Sequence, residues 1–132
     1  MGPDAPTTEG VLEGLIRAWN AGSAPDFAGY FTENADLVNI HGMHFRGRQA
    51  IAGHYGMLFE SVFAKSSVRA FTTSRKRLRE DVELIHVNVD GHFHRDPLAG
   101  HRQVVITLVM TRSGNGWMVA SMQNTLVSEA RR

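Results

Sequence analysis

The sequence predicts an α+β fold: helices packed on one side of a curved antiparallel sheet, with a small hairpin inserted before the third helix. Three observations predict it. Up to about residue 63, apolar residues recur mostly at three- and four-residue spacing. From residue 68 onward the pattern changes to long stretches of period two, punctuated by glycine-rich turns. Between the two lies ADLVNIHGMHFRG, residues 35–47, a short strand, a tight turn at His41-Gly42 and a second short strand ending at Gly47. Helices first and strands after give segregated layers rather than an alternating βαβ chain. A long twisted sheet wrapped over helices encloses a cone-shaped cavity, the kind of space in which small molecules bind.

In chain order, residues 1–6 hold two prolines and a glycine and read as a flexible arm to a single domain. Thr7 or Thr8 can cap a first helix, with Glu9 and Glu13 near the positive end of its dipole. Val11, Leu12, Leu15, Ile16 and Trp19 form its apolar face, and Asn20-Ala21-Gly22 ends it. Ser23-Ala24-Pro25-Asp26 starts a shorter helix, since proline suits a first helical turn. Phe27, Tyr30 and Phe31 face inward from it, and Thr32-Glu33-Asn34 reads as a turn. A third helix is expected over residues 48–63, with Ile51, His54, Tyr55, Leu58, Phe59, Val62 and Phe63 recurring at helical spacing. Four strands follow over 68–79, 82–89, 102–112 and 117–127, with Ser113-Gly114-Asn115-Gly116 as the last hairpin turn.

Composition narrows the function. The chain has 132 residues, enough for one domain with a real core. Net charge is +1, so no electrostatic footprint for nucleic acid exists. The absence of cysteine removes disulfides, thiolate zinc sites and thiol nucleophiles. No apolar run is of membrane-spanning length and no leader pattern opens the chain, which makes the cytoplasm the default compartment. There is no phosphate loop, dinucleotide fingerprint or nucleophile elbow, so no cofactor is expected.

Three local patterns carry a family resemblance over nearly the whole chain. The first is Ala18-Trp19-Asn20-Ala21-Gly22 with Phe27 and Tyr30-Phe31-Thr32-Glu33-Asn34-Ala35. The second is Phe45-Arg46-Gly47-Arg48-Gln49-Ala50-Ile51, and the third is Gly116-Trp117-Met118-Val119-Ala120-Ser121 running on to Gln123-Asn124-Thr125. With the element order, these resemble the SnoaL-like branch of the NTF2-like superfamily. Val38-Asn39-Ile40-His41-Gly42 and Gln123-Asn124-Thr125 resemble its SgcJ/EcaC subgroup, found beside polyketide and enediyne biosynthesis. The resemblance implies a cone fold, a hydrophobic ligand and a homodimer paired through the outer sheet face. Ketosteroid isomerase, scytalone dehydratase and polyketide cyclases share that fold, and one fold hosts many activities.

In isomerase-like members a carboxylate on the first short strand is the general base, and the resemblance puts that position at or next to Asn39. An amide cannot serve as base; it only donates and accepts hydrogen bonds. His41 lies two residues on, and histidine titrates where proton transfer near neutrality needs it, so it is the catalytic candidate. The alternative is that it orders the turn. Asp36 falls on the opposite strand face, and His44 reads as exposed or structural. Trp19, Phe31, Phe59 and Met122 or Met110 are candidate apolar walls, and Tyr55 could present its hydroxyl to the cavity; plain core packing is the alternative for each. His86 shares a face with Leu84 and Asn88, either inside or on the outer face. Thr107 sits between Ile106 and Leu108 and is a candidate inward residue. Gln123 and Asn124 point to opposite faces, so only one lines the cavity unless a bulge intervenes. His54, beside Tyr55, reads as core or rim packing. His92, His94 and His101 with Asp90 and Asp96 match no standard metal spacing and read as a solvated loop.

Three functions fit: a cofactor-independent enzyme acting on a polyketide-type molecule, a carrier that sequesters it, or a dimeric interaction module.

Overall fold

A computed structural model describes residues 6–114 and 116–128. Of the expected arm only Pro6 is included, and Asn115 of the last turn also lies outside the described residues. The order is α1 (Thr8–Ala21), α2 (Ala24–Ala28), β1 (Phe31–Val38), β2 (His44–Arg46), α3 (Arg48–Phe59), β3 (Ser67–Arg79), β4 (Val82–Phe93), β5 (Gly100–Ser113) and β6 (Gly116–Leu126). The strands form one sheet in the order β2-β1-β6-β5-β4-β3. The later four form the antiparallel meander expected from the sequence. The sheet as a whole is mixed, because β1 runs parallel to β6. After β1 and β2 the chain crosses through α3 to the far edge, then returns strand by strand until β6 lies against β1.

Local chemistry sets most boundaries. The Thr7 hydroxyl accepts from the Gly10 amide at 3.0 Å to start α1, and Gly22 ends it in the left-handed conformation at φ 67°. The Ser23 hydroxyl caps α2 on the Asp26 amide at 3.2 Å. Three boundaries differ from the sequence reading by more than two residues. β1 starts at Phe31, not after a 32–34 turn, because Phe31 already pairs with Val119 of β6. α3 stops at Phe59, short of residue 63. There the Ser61 hydroxyl donates to the Met57 carbonyl at 2.7 Å, and successive tight turns lead to Lys65 at φ 59° and into β3. β4 does not stop at Val89 but runs on through Asp90 and His92 to Phe93, and His92 pairs with His101 of β5, so these residues, read as a solvated loop, belong to the sheet.

The core lies between the helices and the inner sheet face. Trp19 is its aromatic hub, with the rings of Phe27, Tyr55, Phe59, Phe63 and Phe93 at centroid distances from 4.5 to 6.4 Å. Its indole N–H donates to Ser66 Oγ at 3.0 Å, so the ring is pinned as well as packed. Gly14 lets Tyr30 lie on α1: a Cβ there would come within 2.1 Å of the tyrosine ring. At the narrow end, buried Glu83 of β4 accepts from Thr8 Oγ1 of α1 at 2.9 Å and pairs with Arg77 of β3 at 2.5 Å.

Candidate functional site

Above the tightly packed end the cone opens into a cavity of about 350 Å³. Leu12, Leu15, Ile16 and Trp19 of α1 form one wall. Val87 and Val89 of β4, Ile106 and Leu108 of β5 and Met122 of β6 form the opposite one. Alternation explains the second wall: each inward residue of β4 pairs across with an inward residue of β5, and that with one of β6. The mouth is rimmed by Met43 and Met57, both more than half exposed, and by Leu126.

A few polar groups break this apolar surface. Tyr55 on α3 is buried, and its ring stacks on Phe27 at 4.3 Å. Burial drives its hydroxyl far above the ordinary tyrosine range, and the Asn124 side chain of β6, its polar neighbour, pulls it partly back. The hydroxyl therefore stays protonated and is a donor. His54, one residue earlier, stacks face to face on Phe45 at 3.9 Å and 16°. Burial lowers its pKa from the ordinary histidine value, which favours the uncharged imidazole, a ring with one donor and one acceptor nitrogen. Asn39 and His41 lie at the β1–β2 end of the mouth, and Arg102 at the β5 end. No Asp or Glu belongs to the lining among the described residues.

Of the residues singled out from the sequence, the cavity brings together Trp19, Asn39, His41, Tyr55 and Asn124, with Met122 in the wall. Asn39 is largely committed to the turn: its Oδ1 accepts from the amides of both His41 and Met43 at 2.9 Å. That leaves only its NH₂ for a ligand. His41 is exposed on that turn. Phe31 is fully buried beneath the cavity, its ring 5.5 Å from Phe27. Phe59 backs Trp19 and Tyr55 at 5.5 and 5.9 Å instead of lining the space. Met110 is wholly buried deeper in the core.

Three further candidates lie outside. His86, Thr107 and Gln123 form one cross-strand row on the outer face of β4, β5 and β6. The reason is the same alternation: Ile106 and Leu108 take the inner face of β5, so Thr107 between them points out. Asp36 is also outside, its Oδ1 within hydrogen-bond distance of His44 Nε2 at 2.7 Å. Two polar lining residues, His54 and Arg102, went unassigned to the site. His54 shares a helix face with Ile51 and Leu58, and that spacing marks it as inward; Arg102 shares a strand face with Val104 and Ile106, but β5 is apolar on both faces, so only the fold decides its direction. Among the described residues no group of three or more His, Cys, Asp or Glu side chains is placed to hold a metal ion. No described helix is long and apolar enough to cross a membrane.

No protein-family model and no curated protein sequence matches the chain. Solved structures do. A ketosteroid isomerase-like protein from Erwinia carotovora atroseptica matches with a TM-score of 0.79 and 12% identity, over 98% of this chain and 100% of that one. An uncharacterized protein with a cystatin-like fold from Caulobacter vibrioides matches with a TM-score of 0.82 and 21% identity, over 91% and 87%. An NTF-2 like protein of unknown function from Shewanella oneidensis matches with a TM-score of 0.72 and 17% identity, over 87% and 93%. At such identities the likeness is one of backbone: the chain has the NTF2-like cone fold.

Proposed function

We propose that the protein binds a hydrophobic small molecule of polyketide type, enediyne precursors included, in the cone cavity. It acts on that molecule without a cofactor, by proton transfer, cyclisation or hydration/dehydration, in the cytoplasm. The observation that carries this reading is a 350 Å³ apolar cavity into which a protonated Tyr55, Asn124 and a neutral His54 all face. Such a space is the right size and polarity for a ligand of drug-like dimensions. Tyr55 and Asn124 would hold a carbonyl or hydroxyl oxygen, and donation to that oxygen stabilises negative charge as it develops. His54 in the wall and His41 at the mouth are the groups that could take or return a proton.

A second reading, a carrier that sequesters the molecule, is favoured by the lining's lack of a carboxylate and by the commitment of Asn39 to its turn. Turnover and affinity separate the two. Hydrophobic polycyclic and polyene candidates are screened by thermal shift, and the product mixture is analysed. If Tyr55→Phe and His54→Gln keep affinity but lose turnover, the enzyme reading holds. Binding without turnover in the unaltered protein leaves the carrier. Failure of every apolar candidate to bind removes both and leaves an interaction module.

A further inference from the structure

The cavity contains one lysine or arginine among its described lining residues, Arg102, and no carboxylate to balance it. Arg102 is half-buried on the inner face of β5, opposite Gly91 of β4, so no side chain faces it across that pair. Its Nε donates to the Leu98 carbonyl at 3.2 Å and its Nη2 to the Ala99 carbonyl at 3.3 Å. These two bonds fix the plane of the guanidinium against the β4–β5 loop. A guanidinium carries five N–H donors in a rigid fork, so three are without a partner among the described residues. Among the described residues no acidic side chain comes within ion-pair distance of it. A cation half withdrawn from water beside an apolar surface, without a counter-charge, is unfavourable unless something anionic joins it.

We propose that Arg102 is the anion-receiving end of the cavity, and that the natural ligand is an apolar molecule ending in a carboxylate. This rests on the reading of the cavity as a ligand site and narrows its substrate class. The fork geometry of the guanidinium suits a planar two-oxygen acceptor. The second polar point lies deeper. Asn124, beside Tyr55, faces Ile106, four residues along β5 from Arg102, which is roughly 13 Å of strand. The ligand therefore carries its carboxylate at the mouth, an extended apolar body against the valines and leucines, and a neutral oxygen at Tyr55.

The full chain is titrated with two fluorescent polyenes that differ only at the head group, cis-parinaric acid and its methyl ester. The acid binds tighter by about tenfold or more, the advantage expected of a charge-assisted bond. Arg102→Gln brings the acid down to the level of the ester and leaves the ester unchanged. Equal binding of acid and ester to the unaltered protein would overturn the role of Arg102 while leaving the cavity reading intact. If neither polyene binds, the cavity reading fails and this proposal with it. Should Arg102→Gln weaken the ester too, through loss of the Leu98 and Ala99 contacts, Arg102→Lys decides: a retained preference for the acid supports the proposal, and a lost one overturns it.

Discussion

Asn39 shows how a single side chain can be diverted from the role its position suggests. Its Oδ1 gathers two backbone N–H groups of the β1–β2 turn, a service that short polar side chains perform wherever the chain folds back within reach. Asn39→Ala should therefore cost about 1 kcal/mol through the lost turn, whether or not ligand is present. Asn39→Asp keeps both acceptor bonds and should be nearly neutral. Urea unfolding of the two variants checks this; equal losses would mean the side chain matters for something other than accepting those bonds. The helical spacing around Tyr55 and Trp19 made their inward direction legible. The commitment of Asn39 was not legible, because it depends on where Met43 returns, and no pattern in the sequence reports that. The inward direction of His54 was legible in the same spacing as Tyr55, but its lowered pKa comes from the Phe45 ring and the surrounding burial, which belong to the fold.

Between elements, the strongest polar tie is Glu83, which joins α1 to the β3–β4 hairpin. Burial alone would push its carboxyl up. Hydrogen bonds from Arg77 and Thr8 and the charges of Arg77 and Arg75 more than offset this, and hold it below its ordinary value of 4.5. The native state thus favours the carboxylate. Its contribution is complete above pH 4.5 and is lost as pH falls through the lower native value, where the unfolded chain has already taken up its proton. Glu83→Gln should flatten the acid limb of the stability curve below pH 4.5 and cost about 2 kcal/mol at pH 7. Denaturant midpoints measured from pH 7 down to pH 3 test it; an unchanged acid limb would show that other carboxylates control acid unfolding. The tie could not be read from sequence: the Arg75-Lys76-Arg77 cluster looks like a solvated strand end, and Glu83 lies six residues beyond Arg77 across a turn.

At the scale of the molecule, the outer sheet face carries Phe71, Leu84, Val105 and Val109 around the row of His86, Thr107 and Gln123. Apolar surface of this kind, with a polar row across it, suits pairing with a second copy. The proposed homodimer predicts that Val105→Lys converts the protein to monomer in sedimentation equilibrium at micromolar concentration; a monomer before any substitution would rule the dimer out. The fold class was legible because helical spacing, strand alternation and turn residues are local and agreed with one another. The inner faces of the strands were less so. β5 reads Val104-Val105-Ile106-Thr107-Leu108-Val109, apolar on both faces, and such a run does not say which phase points inward. On β6 the phase changes mid-strand: Trp117 and Val119 are buried, yet beyond a register shift at Ala120 it is Met122 and Asn124 that point in. Sequence by itself determined the layers, the helices and the turn at residues 41–42. Only the tertiary structure decided that Asn124 rather than Gln123 meets Tyr55, because a one-residue bulge reverses which face every later side chain occupies.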